Sequence, residues 1–142
     1  MTGICSVYFA HPVSDYGSTW QAKALMAIRA CQDFEGWDIT NPDRPEFEAG
    51  YRAHGMQFFI ERCDECDAVV AAPFPDGNYG AGVGKEFFSF VMRRRPVYLI
   101  NRETLAIAPG IAGPVLSVEM TRKWVGHYTP GQTQKNEARP SP

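Results

Sequence analysis

A short apolar run that passes through a glycine-rich loop into an amphipathic segment constrains the fold of this chain more than any other feature. Residues Ala68 to Ala72 are all apolar over the length of a strand. Such a run is typical of a parallel strand buried on both faces, because a half-exposed strand alternates apolar and polar residues. Beyond the glycines, apolar residues recur at helical spacing at Val83, Phe87, Phe90 and Val91. The segment therefore predicts a central strand, a loop and a helix with Glu86 in its first turn.

Two common nucleotide-binding motifs do not match this glycine loop. A P-loop requires Ser or Thr after its Gly-Lys pair, whereas Gly84-Lys85 is followed here by Glu86. The dinucleotide motif Gly-x-Gly-x-x-Gly fits Gly80 and Gly82, but Lys85 then stands where the third glycine packs against the sheet. The loop is instead predicted to bring a carboxylate to the edge of a sheet.

Strand-like and helix-like segments alternate along the chain, which predicts a parallel sheet covered by helices on both faces. Ser18 to Gln21 has the form of a capping box and predicts the start of the first helix. A second helix is expected from about Phe47 to Glu65, and a third follows the glycine loop. Strands are predicted at Ser6 to Ala10, Trp37 to Thr40, Ala68 to Ala72, Pro96 to Ile100 and Val115 to Glu119.

Length and charge limit the kind of protein this is. A chain of 142 residues is expected to form one domain, here residues 1–128, followed by a polar, proline-containing and flexible tail at residues 129–142. The net charge of −2 gives no electrostatic reason to expect a nucleic acid polymer or an anionic membrane as partner, so a small molecule is expected. No apolar run has the length of a membrane span, and a cytoplasmic location is predicted.

The four cysteines include one Cys-x-x-Cys pair, Cys63 and Cys66. A redox pair normally opens a helix, whose dipole lowers the thiol pKa, whereas this pair closes one. A zinc site would need two more ligands at short spacing, and Cys5 and Cys31 are isolated. The cysteines are therefore expected to be small buried side chains, with no metal and no cofactor.

Three loops are predicted to meet at one edge of the sheet, because the carboxyl ends of parallel strands share that edge. They are His11 to Gly17, Asn41 to Glu46 and Pro73 to Ala81. A helix that begins beside them would offer unpaired N–H groups to an anion. The candidate binding residues at this edge are Tyr8, Ser14, Asp76, Asn78, Gly80, Gly82 and Gly84.

In these segments the sequence resembles the nucleoside 2-deoxyribosyltransferase family, including its 2'-deoxynucleoside 5'-phosphate N-hydrolase members. The resemblance covers about the first hundred residues and is carried by Tyr8-Phe-Ala-His-Pro, Asp67-Ala-Val-Val-Ala and Gly82-Val-Gly-Lys-Glu86, followed by Pro96-Val-Tyr-Leu-Ile100. It implies a flavodoxin-like (Rossmann-like) three-layer α/β fold with a parallel sheet of about five strands. It also implies a homodimer or a higher homo-oligomer.

The resemblance further implies cleavage or transfer at the N-glycosidic bond of a (deoxy)nucleoside or nucleoside 5'-monophosphate, with Glu86 as nucleophile. A carboxylate suits this chemistry, because it stabilises or captures the oxocarbenium-like transition state. The catalytic aspartate that the family carries eight residues before the central strand's first aspartate is replaced here by Phe59. His11 and Gly80 likewise stand where the phosphate-specific members carry Gly and Ser.

Because that aspartate is missing, another residue has to protonate the leaving base. His11, Asp15 and Asp76 are candidates, since each belongs to a loop at the carboxyl edge, and His11 is the first choice as second catalytic residue.

Other interpretations stay open at this point. Glu86 could be a first-turn carboxylate that interacts only with its own helix dipole. The chain could be a non-catalytic nucleotide-binding or sensing module on the same fold, or a phosphoribohydrolase that acts on ribonucleotides.

Overall fold

A computed structural model describes residues 4–128 of the chain, so the predicted tail at residues 129–142 lies outside the described residues. Two short 3-10 turns, Val13–Asp15 and Gln32–Phe34, accompany the longer elements. The strands are β1 (Ser6–Ala10), β2 (Asp38–Thr40), β3 (Ala68–Ala71), β4 (Val97–Ile100) and β5 (Ile107–Pro109). The helices are α1 (Thr19–Ala30), α2 (Pro45–His54), α3 (Met56–Asp64), α4 (Ala81–Met92) and α5 (Val118–Tyr128).

The five strands form one sheet in the order β2-β1-β3-β4-β5. The first four are parallel and β5 pairs antiparallel to β4. With helices on both faces, this is the three-layer α/β arrangement of the flavodoxin-like fold, as predicted. The central position of β3 is also confirmed, since its residues are fully buried and it pairs with both β1 and β4.

Two apolar clusters hold the layers together, one on each face of the sheet. Because side chains alternate along a strand, Val7 and Phe9 of β1 pack with Ile28 of α1, while Tyr8 and Ala10 face the opposite side. The second cluster includes Phe87 and Phe90 of α4 and residues of α2 and α3. The alternation thus points Tyr8 toward α4, the helix that carries Glu86.

Three sequence predictions about individual elements are wrong. Val115 to Glu119 is not a strand: Val115 makes one isolated bridge with Tyr79, and α5 begins at Val118. The fifth strand is Ile107–Pro109 instead, and it is antiparallel because only a short turn joins it to β4.

The single helix expected from Phe47 to Glu65 is two helices, α2 and α3. Gly55 separates them with φ 67° and ψ −152°, a conformation that is open to glycine but strained for other residues. The helix after the glycine loop begins at Ala81, earlier than predicted, so Glu86 lies in its second turn.

No helix within residues 4–128 is long and apolar enough to cross a membrane.

Gly50 provides a test of the packing between α2 and α3. A Cβ at Gly50 would overlap the ring of Phe58, so Gly50→Ala should destabilise the protein by about 1–3 kcal/mol. Helix propensity alone predicts the opposite, a gain of roughly 1 kcal/mol. Chemical denaturation measures the difference, and Ala49→Gly at the exposed neighbouring position gives the propensity effect by itself. A stabilising Gly50→Ala substitution would show that the two helices are not this close.

Candidate functional site

A cavity of about 720 Å³ lies at the carboxyl edge of the sheet. The loops that follow β1, β2 and β3 form one side, and helices α2, α3, α4 and α5 complete it. The three loops predicted to share this edge therefore do meet there. His11, Gly80, Gly82 and Glu86 border the cavity, whereas the predicted binding residues Tyr8, Ser14, Asp76, Asn78 and Gly84 are not among the residues that line it.

Glu86 is the buried acid of this cavity. Only 4% of its surface is exposed, and its Oε2 accepts a hydrogen bond from the hydroxyl of Tyr8, which is itself fully buried. Burial raises the pKa of Glu86 to about 8, and the Tyr8 hydrogen bond acts in the opposite direction. The carboxyl group is therefore largely protonated at neutral pH when the cavity is empty.

Glycines and a hydroxyl from α5 determine where α4 begins. The N–H of Ala81 donates to Oγ1 of Thr121 at 2.8 Å, which caps the helix at that residue. A Cβ at Gly84 would come within 2.6 Å of Cγ1 of Val115, so glycine allows the segment before α5 to pack against α4. The glycines are thus part of the helix and of its packing, and they do not form an open loop.

This cap reduces the number of unpaired N–H groups that the start of α4 was predicted to offer to an anion. The Ala81 N–H is bonded to Thr121, and the Gly84 N–H donates to the Gly80 carbonyl at 2.8 Å. Two of the N–H groups in this stretch are therefore already engaged by protein oxygens.

His11 is buried at the cavity wall, and both of its ring nitrogens contact protein oxygens. Nδ1 lies 2.9 Å from the carbonyl oxygen of Phe9, and Nε2 lies 2.6 Å from Oε1 of Gln21. The ring also stacks on Phe9 with centroids 3.9 Å apart. Burial lowers the pKa of His11, although these hydrogen bonds raise it in part. The imidazole therefore has neither nitrogen directed at a ligand in this arrangement.

Gln21 and Asp43 fix the orientation of this network. Nε2 of Gln21 donates to Oδ2 of Asp43 at 2.8 Å, so Oε1 faces His11 and accepts from its Nε2–H. The same Asp43 oxygen accepts the N–H of Gly17 at 3.0 Å. The predicted capping box is therefore only half formed. Ser18 Oγ accepts the Gln21 N–H, but the Gln21 side chain bonds His11 and Asp43 instead of capping the helix.

Asp15 is held in a structural ion pair. Its two carboxylate oxygens accept from the guanidinium of Arg102 at 2.8 and 2.9 Å. Arg102 also donates to the Pro73 carbonyl and lies 4.0 Å over the ring of Trp20. This paired carboxylate joins the loops after β1, β3 and β4, which explains its burial without a catalytic role.

Asp76 and Asn78 form a turn outside the cavity. Asp76 accepts both the backbone N–H and the side-chain Nδ2 of Asn78, each at 3.0 Å. Ser14 has a buried Oγ for which no hydrogen-bond partner is found in residues 4–128.

Sequence reasoning did not single out Tyr16, Asp43 or Thr121, all of which line the cavity. Asp43 and Tyr16 belong to loops already placed at this edge, so their position was a usable signal. No sequence signal indicated Thr121, because α5 was not predicted. Burial, together with the nearby Glu86 and Asp43 carboxyls, raises the pKa of the Tyr16 hydroxyl far above its ordinary value.

No cluster of His, Cys, Asp and Glu suited to a metal ion is found among the described residues. Cys63 and Cys66 are unpaired and buried, and burial raises the pKa of both thiols. They belong to the packing of α3 against the sheet. The expected burial is wrong for Cys5, which is exposed, and Cys31 is only half-buried.

The raised pKa of Glu86 predicts a pH-dependent stability. Between the ordinary value of 4.5 and about 8, the folded protein holds a proton that the unfolded chain releases. The free energy of unfolding should therefore fall as pH rises through this window, by at most about 1.4 kcal/mol per pH unit from this group. Glu86→Gln cannot titrate, so its melting temperature relative to wild type should increase steadily from about pH 5 to about pH 8.

Thermal unfolding across that pH range measures the effect, with Glu35→Gln as a control at an exposed carboxyl. A difference between Glu86→Gln and wild type that is flat with pH would contradict a raised pKa.

No protein-family model matches this sequence, and no curated protein matches it significantly. The family resemblance therefore stays a resemblance of short segments.

Proposed function

We propose that this protein cleaves or transfers the N-glycosidic bond of a (deoxy)nucleoside or nucleoside 5'-monophosphate, with Glu86 as the nucleophile. The observation that supports this most is a buried carboxyl group beside a cavity of about 720 Å³, bonded to a phenol and, within residues 4–128, to no cation. A carboxylate in an ion pair would be a structural group, whereas this one faces space for a ligand. Its place in the second turn of α4 also weakens the helix-dipole interpretation.

The chemistry needs the ionised form of Glu86. The carboxylate oxygen attacks or stabilises the anomeric carbon as the bond to the base breaks, and a glycosyl ester forms. Water or a second base then releases the sugar and regenerates the carboxylate. Positive charge that develops on the sugar favours ionisation of Glu86, because a nearby cation lowers a carboxyl pKa.

Tyr8 orients the nucleophile in this scheme. Its hydroxyl donates to one carboxyl oxygen, Oε2, so this hydrogen bond does not use the lone pairs of the other oxygen, Oε1. The rigid strand β1 supplies this contact, so Glu86 is held from the sheet side while α4 carries its backbone.

The proposed ligand is a small molecule, and three exposed cations border the cavity to receive an anionic sugar phosphate: Arg44, Lys85 and Arg122. The proposal includes a homodimer or higher homo-oligomer in the cytoplasm, without a cofactor.

The alternative is a non-catalytic nucleotide-binding module. The engagement of His11 and Asp15 by protein groups favours it, because neither is poised to protonate a leaving base. Binding of a nucleotide without turnover, unaffected by Glu86→Gln, would support this alternative.

Removal of the nucleophile tests the proposal. Glu86→Gln keeps the shape of the side chain and should reduce release of free base at least about 10³-fold. The assay is chromatography of the purified protein with nucleosides and 5'-monophosphates, with and without a second free base to detect transfer. Glu35→Gln, a carboxyl-to-amide change at an exposed position, serves as the control. Undiminished base release by Glu86→Gln would refute the assignment.

Tyr8→Phe tests the hydrogen bond to the nucleophile. The Tyr8 hydroxyl lowers the pKa of Glu86, so its removal should move the rising limb of kcat/KM to higher pH. At neutral pH the variant should lose about tenfold in kcat/KM and recover part of it in alkali. The pH profile is measured against Tyr98→Phe, which changes a tyrosine in the opposite apolar cluster. A profile that falls with rising pH would instead make Glu86 a proton donor.

A further inference from the structure

We propose that this site acts on N-glycosides whose base already carries a positive charge, such as a pyridinium or an N7-alkylated purine nucleoside. Such a base departs neutral and needs no proton. This inference rests on the proposed function and specifies its substrate class.

The first observation is that the polar groups around Glu86 are committed to other partners. His11 contacts carbonyl oxygens through both ring nitrogens. Asp43 accepts hydrogen bonds from Gln21 and Gly17, as a carboxylate does. Glu48 pairs with Arg52 at 3.2 Å, and both side chains are exposed. Among the described residues that line the cavity, no carboxylic acid other than Glu86 is left to protonate a base.

Tyr16 and the two arginines at the cavity are poor proton donors. The Tyr16 hydroxyl has a strongly raised pKa, so it is a weaker acid than an ordinary phenol. Arg44 and Arg122 carry guanidinium groups, which do not deprotonate in proteins. Lys85 also borders the cavity, and its side chain is exposed to solvent.

The second observation is the composition of the cavity wall. Four aromatic side chains line it: Tyr16, Tyr51, Phe59 and Phe74. The faces of aromatic rings attract cations by about 0.5–2 kcal/mol, more when water is excluded. Asp43 lines the same cavity, is half-buried, and forms no ion pair within residues 4–128. Together these groups favour a flat, positively charged ring over a neutral one.

The cations Arg44, Lys85 and Arg122 do not oppose this assignment. All three are exposed, so solvent screens them from a ring held among the aromatic side chains. They would attract a 5'-phosphate on the same substrate, at the other end of the molecule from the charged base.

The reaction balances without a proton donor. The bond from the anomeric carbon to the base nitrogen breaks, and its electron pair neutralises the positively charged ring. An oxygen of Glu86 bonds to the anomeric carbon, and water then hydrolyses the ester. One proton from that water is released to solvent, so the products are the free sugar, the neutral base and a proton.

Matched substrate pairs test the inference on the wild-type protein. Nicotinamide riboside is compared with its neutral dihydro form, and 7-methylguanosine with guanosine, each also as the 2'-deoxyribonucleoside and the 5'-monophosphate. Cationic glycosides are intrinsically more labile, so kcat/KM is divided by the uncatalysed rate of the same compound. This ratio should be at least about 100-fold larger for the cationic member of each pair. Glu86→Gln should abolish turnover of these substrates.

Phe59→Asp provides the second measurement, with Phe59→Leu as its control. The aspartate adds an acid at the cavity wall, so guanosine should become a better substrate and the preference within each pair should shrink. The leucine adds no acid, so activity on guanosine should not rise.

The two proposals fail in different ways. Equal or larger ratios for the neutral members, with turnover still lost in Glu86→Gln, would overturn the charged-base inference and leave the proposed function intact. Absence of turnover on every compound would overturn both.

Discussion

The hydrogen bond between Tyr8 and Glu86 is the contact on which the rest of the site depends. It joins the central part of the sheet to α4, and both side chains are buried, where an uncompensated carboxylate would be costly. A phenol satisfies one carboxyl oxygen without supplying a positive charge, so the pKa of the acid stays high. Glu86 is thus an acid that can ionise when a ligand provides the compensating charge.

The surrounding structure keeps that acid next to open space. Gly84 lets the segment before α5 approach α4, and Thr121 of α5 caps the first turn of the same helix. Arg102 holds the loop after β1 through Asp15. Contacts within the protein therefore hold both α4 and the loop after β1, and both line the cavity.

Much of the fold could be predicted from the sequence because its signals are local. The apolar run of β3 identified a buried strand, the capping signal at Ser18 to Gln21 identified the start of α1, and strand–helix alternation identified the parallel sheet. The break at Gly55 depends on one backbone conformation, and α5 is a short helix whose packing partner is distant in sequence. β5 has only three residues, too few for a periodic pattern. Such elements are determined by tertiary contacts and not by local propensity.

The position of the site was predictable, but the hydrogen-bond partners of its polar groups were not. Loop position placed Asp43 and His11 at the correct edge. Tyr8 was expected at the end of β1, but its hydrogen bond to Glu86 was not predicted. Which polar groups satisfy one another is a three-dimensional property: the Gln21 side chain, expected to cap its own helix, bonds His11 and Asp43 instead.

The Thr121 cap has a consequence for the electric field inside the cavity. A helix that begins at a ligand site usually contributes the positive end of its dipole to that site. Here a hydroxyl from a neighbouring helix accepts the Ala81 N–H, so part of that positive potential is neutralised before any ligand arrives. The backbone at the start of α4 therefore attracts anions less strongly. The side chains that line the cavity decide whether a positive or a negative ligand group is favoured there.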